Sequence, residues 1–161
     1  MNGRLGKEEY YLEIARVVSK RGTCLRRAVG CVLIDKEGHI LSTGYNGVCK
    51  GSRHCNEEHL EESWKTGKIE ITYPYRCIGA NSPSGKDLDL CLAIHAEQNA
   101  LLQCGDVNSI DSCFTTASPC IHCVKLLMNT SCKKIIYEEL YSEDALKLWG
   151  SMGRRFHQLR K

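Results

Sequence analysis

The stretch from Cys91 to Cys123 constrains this chain more than any other. It opens with Ile94-His95-Ala96-Glu97-Gln98-Asn99-Ala100 and closes with Ser118-Pro119-Cys120-Ile121-His122-Cys123. Cys120 and Cys123 stand three apart, so on a helix they share one face and can grip one metal ion. Pro119 suits the first helical position and Ser118 the cap before it, which places both thiols in the first turn. There the positive end of the helix dipole favours thiolate over thiol. His95 supplies a third ligand. Three protein ligands on a zinc ion leave a fourth position for water, the arrangement of catalytic rather than structural sites.

Glu97 adds the most information. Residues i and i+2 point to nearly opposite sides of a mid-helix turn, so His95 and Glu97 converge only where a helix begins. A helix mouth opening onto the metal meets that requirement, and Glu97 can then take a proton from water and return it to a leaving group. Ala100, Leu101 and Leu102 carry this helix into a core. Each part has an ordinary explanation by itself. A C-x-x-C among eleven cysteines can be chance, a structural zinc site or a redox pair, and a His or Glu at a helix start is usually a cap. The conjunction of H-x-E with a later P-C-x-x-C is far more specific, and resembles the signature of zinc-dependent nucleobase deaminases.

With 161 residues, the chain is expected to form one domain, 1–161, large enough for a core without disulfides. A net charge of +3 is too small to argue for a nucleic-acid partner without a basic patch. Residues 1–7 lack the apolar region of a secretory signal, and no run reaches the length of a membrane span. A cytoplasmic protein without a membrane partner is expected. In that compartment cysteines are metal ligands or small buried hydrophobes rather than disulfides.

Tyr11, Ile14, Ala15 and Val18 recur at helical spacing over Glu8 to Lys20, with Gly22 as the stop. Ala28 to Asp35 is a short, nearly all-apolar run expected as a buried strand. A turn at 36–39 leads to a return strand, Ile40 to Asn46, that exits through Gly44-Tyr45-Asn46-Gly47. Those glycines permit close approach of a ligand to backbone, with an ordinary hairpin exit as the competing reading. The polar segment at about 48–91 is expected to be a functional or zinc-stapled loop. Within it, Asn56 caps a short helix to Trp64, stopped by Gly67. Beyond the His95 helix come a strand at Ser112 to Ala117, the Cys120 helix to about Thr130 and a strand at Lys133 to Glu138. A helix capped by Ser142 runs through Trp149, and a last short strand covers Arg154 to Leu159. This α-β-β-loop-α-β-α-β-α order implies an α/β fold, a sheet of four or five strands packed by helices.

Several blocks in order are similar to the deoxycytidylate (dCMP) deaminase family, from about Cys24 to Tyr141. They are Thr23-Cys24-Leu25-Arg26-Arg27-Ala28-Val29-Gly30, Ser42-Thr43-Gly44-Tyr45-Asn46-Gly47, His54-Cys55 and the two metal motifs. The resemblance implies the cytidine deaminase-like fold, a three-layer α/β/α sandwich with a mixed sheet of four to five strands. It also implies hydrolysis of dCMP to dUMP and ammonia by a homohexamer, with Glu97 as the proton-transfer residue. His95, Cys120 and Cys123 would hold the catalytic zinc, and Asn46 would meet the sugar. Arg26 is the candidate for the 5′-phosphate, because a guanidinium binds phosphate bidentately; a solvated surface Arg is the competing reading. Tyr141 stands where relatives often carry an aromatic near the pocket, with plain packing as its alternative.

The resemblance further implies dCTP and dTTP as effectors at Gly44, Tyr45, Asn46 and Gly47, with Mg²⁺ only alongside a bound triphosphate. A second, structural zinc is expected on Cys24, Cys55 and Cys91, completed by Cys77, or else by His54 or His59. A polar loop buries little apolar surface, and a metal clip offsets its ordering entropy. Two departures stand out. Cys91 lies four residues before His95, where relatives often place this cysteine five before, and Asp106 occupies a place where some phage members carry an Arg. The alternatives are another zinc deaminase (on a free cytidine nucleoside, a 5-modified dCMP, a riboflavin precursor or tRNA adenosine) and a non-catalytic zinc-binding module. Glu97 argues against the last, since a structural site has no use for an unligated acid beside an open coordination position.

Overall fold

Strand β1 (Gly30–Ile34) is buried along its whole length, as a strand packed on both faces must be. It is the second strand of a five-stranded mixed sheet in a computed structural model. That structure describes residues 3–56, 59–63, 68–72, 78–83, 86–87 and 90–160. β1 pairs antiparallel with β2 (Ile40–Tyr45), its hairpin partner, on one side. On the other side it pairs antiparallel with a strand at Ser112–Ala117. That strand is followed in parallel by Lys134–Glu139 and then Arg155–Gln158.

Alternation along β1 assigns the two cores. Val32 and Ile34 face helix α1 (Lys7–Ser19), joining Tyr11, Leu12, Ala15, Phe114 and Ile136. Cys31 and Leu33 face the other way, into a cluster with Ala96, Ala100, Val124, Leu127, Leu146 and Trp149. These last residues come from three helices, Ala96–Gln103, Ile121–Met128 and Glu143–Ser151. The result is three layers, one helix on one face of the sheet and three on the other.

Two glycines set how tightly the layers meet. A Cβ on Gly30 would lie 1.9 Å from the Ala15 carbonyl oxygen of α1. A Cβ on Gly44 would lie 2.2 Å from the Ala96 carbonyl oxygen. Gly44 therefore admits a helix to the strand, not a ligand to the backbone.

Between the hairpin and the second helix the chain forms β3 (Gly47–Val48), β4 (His59–Ser63), β5 (Lys68–Thr72) and β6 (Ala93–Ile94). The helix expected over Asn56 to Trp64 is corrected here: 59–63 pairs antiparallel with 68–72 as a separate two-stranded sheet. The sequence Lys-Ile-Glu-Ile-Thr alternates β-branched with polar residues and templates its neighbour as a strand. Trp64 and Gly67 lie outside the described residues. β3 pairs antiparallel with β6, Gly47 opposite Ile94 and Val48 opposite Ala93. That pairing closes the base of the long excursion and delivers His95 beside the end of β2. The main helices and strands continue in chain order as α2 (Ala96–Gln103), β7 (Ser112–Ala117), α3 (Ile121–Met128), β8 (Lys134–Glu139), α4 (Glu143–Ser151) and β9 (Arg155–Gln158). Among the described residues no helix is long and apolar enough to cross a membrane.

Candidate active site

The helix starts aim at one place. His95 is the N-cap of α2, in extended geometry (φ −70°, ψ 157°), and its backbone N–H donates to the Gln98 side chain at 2.9 Å. Glu97 follows in the first turn. Because the helix begins between them, both side chains reach one pocket. α2 is held on β2 by side chains bonding backbone. Ser42 Oγ donates to the Ala100 carbonyl at 2.7 Å, and Asn99 Nδ2 to the Tyr45 carbonyl at 2.8 Å.

Cys120 is the N-cap of α3 and Cys123 lies in its first turn. This corrects the sequence expectation by two residues, since Ser118 and Pro119 precede the helix. Ser118 has other work. Its hydroxyl accepts from the backbone N–H of Tyr141 at 2.7 Å and of Ser142 at 3.1 Å. The metal-motif turn is thereby tied to the segment after β8. The site thus sits at the C-terminal ends of the parallel strands β7 and β8, where open α/β sheets place their ligands.

His95 Nδ1 is 3.4 Å from both the Cys120 and Cys123 sulfurs, and the three donor atoms lie within 4.8 Å of one another. Tetrahedral zinc with ordinary Zn–N and Zn–S bonds requires N···S separations of about 3.5 Å. The donor set therefore fits a zinc ion in number, type and spacing. A hydrogen bond from Cys123, against the cost of burial and with help from His95, lowers the Cys120 thiol to about 3. Its partner Cys123 is pushed up, first by that Cys120 thiolate and then by burial. His95 is raised by its hydrogen bond to Cys120. Three ligands competing for protons in so small a space are what a divalent cation relieves.

Glu97 is 4% exposed. Burial pushes its carboxyl upward, toward the protonated form. It is not one of the three clustered donors.

The pocket encloses about 90 Å³. Of the residues singled out from sequence, Cys24, Arg26, Asn46, Cys91, His95, Glu97, Cys120 and Tyr141 all line it. Asn46 commits its side chain to the wall itself: Oδ1 accepts from Val29 N–H at 2.8 Å and Nδ2 donates to the Arg27 carbonyl at 2.6 Å. Arg26 Nη2 donates to the Pro83 carbonyl at 2.6 Å. Tyr45 and Gly47 turn to a separate pocket with Lys50, Asn99 and Gln103. The Gly44–Gly47 segment therefore divides between helix packing, two pockets and the pairing with β6.

Among the described residues the loop cysteines form no such triplet. Cys24 and Cys91 share the main pocket wall, and Cys55 is buried. Among the described residues, donor triplets within 4.8 Å are His95–Cys120–Cys123 and an exposed Asp35–Glu37–His39 group. His54 stands between Arg53 and Cys55 on the second pocket's rim. Cys77 lies outside the described residues, as does the side chain of His59.

Arg27 and Ser118 also line the pocket; Arg27 carried no signal of its own in the sequence, and Ser118 only that of a helix cap. The observed role of Ser118 could be found only by knowing that Tyr141, 23 residues on, returns to it.

Comparison with known proteins follows the same lines. Residues 5–139 match the family model of the cytidine and deoxycytidylate deaminase zinc-binding region. The chain is 35% identical over 142 residues to the deoxycytidylate deaminase of Schizosaccharomyces pombe, covering 86% of this chain and 38% of that one. It is 31% identical over 134 residues to the deoxycytidylate deaminase of Mycobacterium phage D29, covering 81% of this chain and 92% of that one. Its fold is similar to the crystal structure of dCMP deaminase from the cyanophage S-TIM5 in complex with dCMP and dUMP. That likeness has a TM-score of 0.67 and 25% identity, over 94% of this chain and 96% of that one. The chain thus spans about two fifths of the fission-yeast relative and nearly the whole of the phage ones.

Proposed function

Because this chain belongs to the cytidine and deoxycytidylate deaminase zinc-binding family, we propose that it deaminates dCMP hydrolytically to dUMP and ammonia. The observation that carries the proposal is the gathering of His95, Cys120 and Cys123 beside a pocket that His95, Cys120 and the unligated Glu97 line. The names of the relatives, several of them deoxycytidylate deaminases, support dCMP over other amino-heterocycles.

Zinc on His95, Cys120 and Cys123 supplies, when bound, an activated water for attack at C4 of the pyrimidine. Glu97 does the proton work: as the acid it donates to N3, and as the resulting carboxylate it takes the proton of the new C4 hydroxyl and passes it to the departing amine. The Asn46 side chain fixes the strand-entry segment 27–29 against which the sugar would lie, and Arg26 at the rim offers positive charge to the 5′-phosphate. Tyr141 lines the same pocket.

The finer parts of the reading follow from the same resemblance. The chain forms one deaminase domain, assembles as a homohexamer and works in the cytoplasm on a free nucleotide. dCTP and dTTP act as effectors near Tyr45 and Gly47, with Mg²⁺ accompanying the triphosphate. A second, structural zinc draws on Cys24, Cys55, Cys91 and Cys77. For that zinc, elemental analysis of protein purified without added metal should give about two zinc ions per chain, set against the one catalytic site. A ratio near one removes the second site.

Ammonia release from a panel of nucleosides and nucleotides tests the main reading. dCMP should exceed deoxycytidine in kcat/KM by about two orders of magnitude or more, the loss expected from two or three charge-assisted contacts. Equal rates would make this a nucleoside deaminase. No release from any cytosine compound, with zinc bound, would leave a deaminase of another amino-heterocycle or a non-catalytic module.

A further inference from the structure

We propose that Arg27 is the residue that discriminates the nucleotide from the nucleoside, by leaving Glu139 and turning its guanidinium to the 5′-phosphate. This deepens the dCMP reading and rests on it. Arg27 lines the pocket, and its backbone is pinned there by the Asn46 side chain, which donates to its carbonyl at 2.6 Å. Its guanidinium lies 5.7 Å from the ring centroid of Tyr141. The Tyr141 backbone is held in turn, its N–H donating to Ser118 Oγ. Both backbones are therefore fixed, and the freedom left is in the side chains.

The hydrogen bonding of that side chain is incomplete. Nη2 approaches Glu139 at 3.3 Å, while Nη1 is buried and has no hydrogen-bond partner. A guanidinium is always charged, and a buried N–H without an acceptor keeps its whole desolvation cost. The pairing with Glu139 does not compensate for this. The Glu139 side chain is 69% exposed, and an ion pair so well solvated is easily given up. A phosphate monoester at the pocket mouth offers oxygens enough to engage both terminal nitrogens in the bidentate geometry Arg prefers. Arg26 has a different disposition, with Nη2 already bound to the Pro83 carbonyl.

The test compares kcat/KM for dCMP and for deoxycytidine in zinc-loaded wild type and Arg27→Ala. The dCMP-to-deoxycytidine ratio should fall roughly 10- to 150-fold, the equivalent of one lost charged hydrogen bond. A variant damaged only in its fold would lose both activities together and keep the ratio, which would overturn the proposal. Glu139→Gln supplies a second arm that does not depend on Arg27→Ala folding. Freed from its competitor, Arg27 should bind the phosphate more readily, and the KM for dCMP should fall about 1.5- to 5-fold relative to that for deoxycytidine. An unchanged or raised relative KM counts against the swing. Wild-type protein with no preference for dCMP would instead overturn the dCMP reading beneath it.

Discussion

Glu97 is the side chain whose placement most separates this site from a structural zinc site. It is buried, within reach of the three-donor cluster yet outside it, so its removal should spare the metal. Glu97→Ala is expected to retain zinc and fold while losing about a hundredfold or more in kcat, the lower end of what a positioned acid–base group contributes. Parallel zinc analysis and turnover measurements check this, and a variant above about a hundredth of wild-type kcat contradicts the assignment. Ser118 makes a different kind of contribution, as one oxygen accepting from two backbone donors. Ser118→Ala would strand two N–H groups and should lower unfolding free energy by about 1–3 kcal/mol, measurable in urea. At this scale legibility was uneven. His95 with Glu97, and Cys120 with Cys123, announce themselves because spacing at each of the two helix starts is local chemistry. Ser118 and Arg27 do not, because their partners, Tyr141 and Glu139, lie more than a hundred residues from Arg27 or one βα unit from Ser118.

Elements carry the next constraint, since the metal motif is only as well placed as its two helices. α2 lies against β2 at Gly44, where an added Cβ would come within 2.3 Å of the Ala100 nitrogen as well as the Ala96 oxygen. Both are backbone atoms, so the helix itself must move. Gly44→Ala should therefore cost about 1–3 kcal/mol by overpacking and, by displacing His95, reduce zinc occupancy and turnover together. Normal zinc content and rate in a stable Gly44→Ala protein would show that the helix start is not set from β2. α3 is held from its other end. Arg154 donates to the carbonyls of Leu127, Met128, Thr130 and Cys132 at 2.7–3.3 Å. It also lies 4.9 Å from the Trp149 ring centroid. Truncation to Ala should destabilise by about 2–4 kcal/mol, read as a shift in the urea midpoint. The strand within Ala28–Asp35 could be read from sequence because a short, nearly all-apolar run followed by a turn suits a buried strand. The 59–63 segment could not, since His-Leu-Glu-Glu-Ser is committed to a strand by pairing with 68–72 and not by its own pattern.

The whole molecule places one pocket at the C-terminal ends of β7 and β8, with both helix starts feeding it and three layers holding it. Its acid stability should carry a signature from the opposite end of the sheet. Asp111 is pushed up by burial, but the Ser112 hydroxyl and the Lys134 ammonium at 3.5 Å outweigh that and hold it below the usual carboxylate range. A depressed folded value means that its stabilisation is fully present above about pH 4, the unfolded value. It fades as pH falls through the folded value. The stability gap between wild type and Asp111→Asn should accordingly shrink as pH is lowered from about 5 to about 2. A gap that stays constant or widens would mean that Asp111 is not depressed. The layer order was legible from the succession of strand and helix patterns. The division of Gly44–Gly47 between helix packing and two pockets was not, because it depends on where β6 and α2 return. The central claim is that a zinc ion on His95, Cys120 and Cys123, served by Glu97, deaminates dCMP. The most direct measurement is ammonia and dUMP formation from dCMP by the zinc-loaded protein, by the same protein after chelation, and after zinc is restored. Stoichiometric dUMP and ammonia, lost on chelation and regained with zinc, is the predicted result. Conversion that persists in the fully zinc-free protein, or no conversion with zinc bound, would contradict it.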